Sequence, residues 1–354
     1  MTIKQLLVSP ILLMAAFGFW TLSYQTVGKN VPFKRVDWAL GANFIPSTAV
    51  NQLEMWQAET FDAKTIDQEL SYAQGIGMNA MRVFLHHVAW QEDKKGFKKR
   101  IEQFLKICSR HHIKPMFVFF DDCWNDTYHK GKQPAPKLGI HNSQWLQDPG
   151  KLQYEDPMLM DTLKAYVEDI LITFKHDKRV LLWDLYNEPG HNRHFDASFL
   201  LLQNAFAWAK AVNPDQPLSA GYWNDAPQLN AINQFLLASS DIITYHSYGT
   251  TQEHQQRIDK LKLYNRPMIC TEYMARKRGS TFVAILPMLK TQHIGAINWG
   301  LVAGKTNTKY AWDEPMPGGG EPKLWFHDIF WPDGKPYDSI ETKLIKYLTS
   351  QTKH

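Results

Sequence analysis

The segment VLLWDLYNEPG, residues 180–190, decides the fold prediction because it places a carboxylate directly after an apolar run. Residues 180–186 are almost entirely apolar and predict a buried β-strand. The pair Pro189-Gly190 is typical of a turn and ends that strand. Glu188 is therefore predicted at the carboxyl tip of a strand, with the amide of Asn187 beside it.

Similar apolar runs recur along the chain and alternate with segments of helical periodicity, such as residues 65–75 and 195–212. Such alternation is typical of parallel strands joined by right-handed helical crossovers. Eight such units without a linker predict an α/β fold, a (β/α)8 TIM barrel formed as a single domain by residues 29–354. The predicted strands are residues 38–44, 80–85, 115–120, 180–186, 217–221, 242–245, 267–270 and 294–299.

Two connections are too long to be plain loops, residues 121–155 after strand 3 and residues 302–337 after strand 8. Both leave carboxyl ends of strands, the face on which barrel enzymes carry their active sites. Both are rich in aromatic residues, and long loops of this kind are usually functional or disordered. We expect them to border the site.

The composition excludes several classes of protein. The chain has 354 residues, 44% of them hydrophobic, and a formal charge of +4. Its basic residues are scattered, so no nucleic-acid partner is expected. The three cysteines, Cys108, Cys123 and Cys270, have neither the spacing of a disulfide framework nor that of a metal site.

A second strand ends directly in a glutamate. The segment RPMICTEYMAR, residues 266–276, places Glu272 at the tip of strand 7, as Glu188 is at the tip of strand 4. The interior of an eight-stranded barrel is only wide enough for side chains, so the two carboxyls are expected to meet there. A separation of about 5–5.5 Å between them is what a retaining glycosidase needs, one carboxyl being protonated and the other ionised.

Five further residues at predicted strand ends suit a site of this kind. Arg82 is expected to keep Glu272 charged, and Asn187 to donate a hydrogen bond to a sugar 2-hydroxyl. His246 and Tyr248 are two residues apart on strand 6, so their side chains are expected to point the same way. We expect them to orient Glu188 and Glu272 respectively. Trp299, at the tip of strand 8, offers a flat apolar floor for a sugar ring.

These motifs resemble those of the clan A glycoside hydrolases and, within that clan, of family 5, which contains cellulases and mannanases. The resemblance extends over residues 38–299 and implies a retaining hydrolase of β-linked oligo- or polysaccharides, of glucan, mannan or xylan type, that needs no metal or other cofactor. It implies Glu188 as acid/base and Glu272 as nucleophile. The motifs that carry it are Arg82, Asn187-Glu188-Pro189, Tyr245–Tyr248, Thr271–Tyr273 and Trp299.

The sequence departs from that family after strand 3. Many relatives have a histidine in this region, whereas this chain has Asp121 and Asp122, followed by Trp124. We predict that these three residues contact the substrate. Trp223 and Trp312 also follow strands at the active face, where sugar stacking and plain packing are equally compatible with the sequence.

Three other functions remain open from the sequence. A metal-dependent barrel hydrolase is suggested by His86-His87, Asp121-Asp122 and the pair His191/His194, although these do not obviously converge. A phosphate-binding barrel is suggested by the three glycines at 318–320. A carbohydrate-binding barrel without catalytic activity is the third.

The N-terminal residues 1–28 predict export. Lys4 precedes an apolar stretch from Leu6 to Trp20 that resembles a secretory signal peptide. The alternative is an uncleaved N-terminal anchor, which would tether the protein to a membrane, although the stretch is short for a spanning helix. We therefore predict a periplasmic or extracellular protein.

Cleavage can be tested directly. Protein recovered from the native host is expected to begin between about residues 19 and 28, because Ala16-Phe17-Gly18 offers small residues at a plausible cleavage spacing. N-terminal sequencing measures this, and an intact Met1 on protein from a soluble cytoplasmic fraction would contradict it.

Overall fold

Nine short parallel strands form the centre of the protein in the computed structural model, which describes residues 38–351. They are hydrogen-bonded in the order β5-β4-β3-β2-β1-β9-β8-β7-β6, and every pairing is parallel. Because β5 and β6 are consecutive in the chain, this order wraps into a nearly closed barrel, as the sequence predicted. The strands are β1 (Leu40–Asn43), β2 (Ala80–Phe84), β3 (Lys114–Asp121), β4 (Leu182–Asn187), β5 (Leu218–Ser219), β6 (Gly221–Tyr222), β7 (Ile243–His246), β8 (Met268–Glu272) and β9 (Gly295–Trp299).

The predicted fifth strand is divided in two. Residue Ser219 of β5 pairs with Asp184 of β4, whereas Gly221 of β6 pairs with Thr244 of β7. Ala220 lies between the two pieces and belongs to neither ladder. The fifth barrel strand therefore changes partner halfway along its length.

Helices cover the outside of the barrel. Several begin at a side chain that accepts a hydrogen bond from a free backbone N–H, which stabilises the first turn. Asp62 and Asp93 do this for α2 and α4, and Thr250 forms a reciprocal capping box with Glu253 at the start of α9. The helices are α1 (Gln52–Trp56), α2 (Ala63–Gly75), α3 (His87–Glu92), α4 (Lys94–Arg110), α5 (Leu152–Glu155), α6 (Leu159–Phe174), α7 (Phe195–Val212), α8 (Asn230–Ser239), α9 (Thr251–Lys262), α10 (Phe282–Thr291) and α11 (Ser339–Ser350).

The barrel interior has an apolar base. One buried cluster consists of small and aliphatic side chains contributed by strands all around the barrel, and a separate larger core lies largely between strands and helices. Above the interior cluster, towards the carboxyl ends of the strands, the buried side chains become polar. The interior cluster consists of Ala39, Ala80, Met116, Leu181, Leu182, Ile242, Ile269 and Ile297.

The N-terminal prediction lies outside the described part of the chain. Residues 1–28 belong to the segment before residue 38, and within residues 38–351 no helix has the length and apolar character to cross a membrane. Cys108, Cys123 and Cys270 are all buried free thiols.

The long loop of residues 302–337 is fixed by one buried cation. Arg276 donates hydrogen bonds to the backbone carbonyls of Trp325, His327 and Asp328. It also forms a buried ion pair with Glu341 of α11 at 2.6 Å. The same guanidinium therefore holds both the loop and the last helix.

Arg276→Ala is expected to lower the free energy of unfolding by about 3–5 kcal/mol, because it leaves Glu341 charged and buried without a partner. Denaturant unfolding measures the change. Arg278→Ala is the matched control, since its ion pair with Asp313 is about half exposed and is expected to contribute less than about 1 kcal/mol. Equal losses in the two variants would contradict this assignment.

Candidate active site

Two glutamates face each other at the carboxyl end of the barrel. Glu272 is the last residue of β8, and Glu188 directly follows β4. One carboxylate oxygen of each lies within 4.8 Å of the other. Glu188 has a left-handed backbone conformation, with φ of 44°, which is uncommon for a residue other than glycine. The structure therefore brings together the pair that the sequence singled out.

Arg82 is the hub of the surrounding hydrogen bonds. Its fully buried guanidinium donates to Asp184 at 2.8 Å, Asn43 at 2.9 Å and Asn187 at 2.7 Å. It also donates to Glu272 Oε1 at 2.9 Å. The predicted contact between Arg82 and Glu272 is present, but the guanidinium charge is shared with Asp184.

His246 lies between the two glutamates. Its Nδ1 is 2.6 Å from Glu188 Oε1, and its Nε2 is 3.6 Å from Glu272 Oε1. This Nε2 is buried and has no hydrogen-bond partner. Gly221 makes room for the imidazole, since a Cβ there would lie 3.3 Å from Nε2. Tyr248 donates its hydroxyl to Glu272 Oε2 at 2.7 Å.

The two carboxyls differ in the direction of their pKa shifts. Burial raises the pKa of Glu272 above its ordinary value, and the neighbouring charge of Glu188 adds to the shift. Burial also acts to raise the pKa of Glu188, but the hydrogen bond and charge of His246 outweigh it and lower this pKa. Two carboxyls this close titrate as a pair, so both shifts belong to the pair and not to either residue alone.

The predicted substrate ligands after β3 lie beneath the site. Asp121 accepts hydrogen bonds from Asn187 and Trp145, and burial raises its pKa to about 7. Asp122 is fully buried and accepts from the backbone of Gly190 and the side chain of Ser198. Both carboxylates thus bond to protein donors and position the residues around Glu188, where the sequence had predicted sugar contacts.

A cavity of about 630 Å³ opens above the glutamates. Its walls include Asn187 and four tryptophans, and the two long loops contribute to them as predicted. Trp299 packs at its base against Phe84 and Trp145. Trp124 is 42% exposed at the rim. The tryptophans are Trp124, Trp223, Trp299 and Trp312.

Four residues of the site were not predicted. Asn43 and Asp184 bind Arg82. The sequence did carry a signal for Asp184, because a charged residue inside an apolar strand needs a buried partner of opposite charge. Cys123 and His191 both contact Glu188 Oε2, with Sγ at 3.2 Å and Nε2 at 3.8 Å. They come from different loops, so no sequence spacing relates them.

Of the histidines that suggested a metal-dependent hydrolase, only His191 lines the cavity. His86 and His87 lie with Asp148 in a fully buried cluster, and none of the three lines the cavity. His194 stacks on Tyr154 with the ring centroids 3.8 Å apart and does not line the cavity.

Comparison with known proteins supports the interpretation of the motifs. Residues 45–304 match the family model described as Cellulase (glycosyl hydrolase family 5). No curated protein matches the chain in sequence.

Several solved structures share the fold. An endo-β-1,4-mannanase from Thermotoga petrophila is 13% identical, with 91% of this chain and 78% of that chain covered and a TM-score of 0.59. A β-mannanase from the blue mussel Mytilus edulis is 16% identical, with 90% and 93% covered and a TM-score of 0.57. An exo-β-1,4-mannosidase from Opitutaceae bacterium strain TAV5 is 15% identical, with 89% and 60% covered and a TM-score of 0.59. At these identities the likeness concerns the fold alone.

Proposed function

The chain belongs to glycosyl hydrolase family 5, and on this premise we propose that it cleaves β-linked glycans by double displacement with retention of configuration. The observation that carries the proposal is the pair Glu188 and Glu272, whose nearest oxygens lie within 4.8 Å of each other. Retaining enzymes hold their carboxyl groups about 5–5.5 Å apart, whereas inverting enzymes leave room for a water between them.

Glu272 is the nucleophile. Arg82 and Tyr248 each donate a hydrogen bond to one of its oxygens, which orients the carboxylate and favours its ionised form. Positive charge develops on the sugar ring in the oxocarbenium-like transition state, and this charge also favours an ionised Glu272. Attack on the anomeric carbon forms a covalent glycosyl-enzyme and breaks the bond to the leaving oxygen.

Glu188 protonates the leaving oxygen and then, as a carboxylate, takes a proton from the water that hydrolyses the glycosyl-enzyme. The first step requires a proton on Glu188, although the hydrogen bond and charge of His246 lower the pKa of this carboxyl and burial raises that of Glu272. His246 connects the two, because an imidazole can accept a proton at Nε2 and release one at Nδ1. We infer that His246, whose Nδ1 is 2.6 Å from Glu188 Oε1, returns a proton to Glu188 when the substrate binds.

The substrate is a β-linked oligo- or polysaccharide that stacks on the cavity tryptophans. Three of the solved structures with this fold are an endo-β-1,4-mannanase, a β-mannanase and an exo-β-1,4-mannosidase. Manno-oligosaccharides should therefore be the first substrates tested. The comparison uses β-1,4-linked gluco-, manno- and xylo-oligosaccharides with product analysis. Failure to cleave any β-linked glycan would leave the non-catalytic carbohydrate-binding barrel as the better description.

The roles of the glutamates are separable with an activated aryl β-glycoside. Glu188→Ala is expected to give a fast burst and then turnover that is roughly 10²- to 10⁴-fold slower, because the glycosyl-enzyme accumulates without a base. Azide needs no base and should accelerate the slow step, yielding a glycosyl azide of retained β-configuration. Stopped-flow release of the aryl group and NMR of the product measure both effects.

Glu272→Ala should give no burst and no covalent intermediate, and azide should attack from the opposite face to give the α-product. Glu155→Ala is the control, because Glu155 is exposed on α5 outside the cavity. If Glu272→Ala shows the burst and Glu188→Ala does not, the acid/base and nucleophile roles of the two glutamates are exchanged. Full activity in both would remove the double-displacement mechanism.

The cavity tryptophans are expected to bind sugars beyond the cleavage point. Trp124→Ala and Trp312→Ala should raise KM for long oligosaccharides roughly 2- to 12-fold, as expected for the loss of one aromatic stacking contact. KM for a short aryl glycoside should change less, because it does not reach distant subsites. Trp331→Ala is the control, because the side chain of Trp331 packs against Trp325 outside the cavity. Equal effects on both substrates would indicate a packing role.

A further inference from the structure

We propose that Cys123, Glu188 and His191 form a binding site for a zinc ion, which would inhibit the enzyme by occupying Glu188. The three residues come from the loop after β3 and from the turn after β4. They meet only in the folded protein, at the wall of the cavity. Within the described residues, neither of the other two cysteines has this position, because Cys108 and Cys270 are fully buried in the core.

The distances suit a tetrahedral ion. Cys123 Sγ is 3.2 Å and His191 Nε2 is 3.8 Å from the same oxygen, Glu188 Oε2. One ligand atom from each residue lies within 4.8 Å of the other two. Zinc at its usual bond lengths separates such ligands by about 3.4–3.6 Å, so small side-chain movements are enough to enclose the ion.

The surrounding contacts hold the ligands in place. Asp121 accepts a hydrogen bond from the backbone N–H of Cys123 at 2.9 Å, and His246 binds the other oxygen of Glu188 at 2.6 Å. The His191 ring lies against Trp223, with centroids 4.9 Å apart. Partners of this kind orient ligands in metal sites. Three protein ligands facing an open cavity leave the fourth position for water.

The donor set favours zinc over hard cations. A thiolate and an imidazole select zinc, whereas magnesium and calcium prefer oxygen ligands. Binding breaks the S–H bond of Cys123, forms a zinc–sulfur bond and releases the proton to solvent. The thiolate and the carboxylate then carry two negative charges, which balance those of the ion, and no electron transfer is involved.

The ion would block catalysis, and this consequence rests on the proposed role of Glu188. A carboxylate bound to zinc can neither carry the proton for the leaving oxygen nor activate water. The ion and its water would also occupy the wall of the cavity beside Glu188. Zinc would therefore be expected to lower turnover without unfolding the protein.

Metal binding is measured separately from activity. Zinc chloride titrated into the purified chain by calorimetry should bind at one site, and cobalt(II), as a spectroscopic probe, should show the near-ultraviolet absorption of a cobalt–thiolate bond. Cys123→Ser should abolish that absorption and weaken zinc binding at least about tenfold, as should His191→Ala. His194→Ala removes a nearby imidazole outside the cluster and should bind zinc as the unaltered chain does.

Activity is then compared with and without zinc within each variant. Zinc should inhibit the unaltered chain and His194→Ala, EDTA should reverse the inhibition, and Cys123→Ser should be inhibited at least about tenfold less effectively. Equal zinc affinity in all variants, or no cobalt–thiolate absorption, would overturn the site. Specific zinc binding without any glycosidase activity would instead count against the proposed function alone.

Discussion

The buried guanidinium of Arg82 is the interaction on which the rest of the site depends. It lies in β2, and its partners Asn43, Asp184 and Glu272 lie in β1, β4 and β8. A guanidinium cannot lose its charge in a protein, so the fold has to supply carboxylates around it. Its five donors point in fixed directions and therefore fix the positions of its partners. The polar top of the barrel is organised by this geometry, as the apolar base is organised by packing.

The fold and the meeting of the two glutamates could be predicted from the sequence because both leave local signals. Apolar runs that alternate with amphipathic segments report parallel strands, and Glu188 and Glu272 each end such a run. The contacts of Arg82 and Tyr248 with Glu272 followed from their places near strand ends. Contacts that depend on loop paths were not predictable. Asp122 is buried and holds the turn after β4, and Cys123, which carried no spacing signal, lines the cavity.

The division of the fifth strand could not be predicted either, since residues 217–221 form one uninterrupted run. The change of partner at Ala220 depends on how the barrel closes, which is a property of all strands together. This change of partner affects the neighbourhood of the glutamates directly. It places Gly221 beneath His246, where a larger residue would press on the imidazole.

The same division gives the two glutamates different mechanical support. β4 is paired with β3 as far as Asn187, but its ladder with β5 stops at Asp184. The segment leading to Glu188 is therefore braced on one side only. Glu272 is paired with His246 on one side, and on the other the next residue, Tyr273, accepts a backbone hydrogen bond from Trp299 at 3.2 Å. We expect the support of Glu188 to be the more compliant. This difference would suit the proposed roles. As a nucleophile, Glu272 would attack one atom from a fixed position, whereas Glu188 would have to reach first the leaving oxygen and then a water.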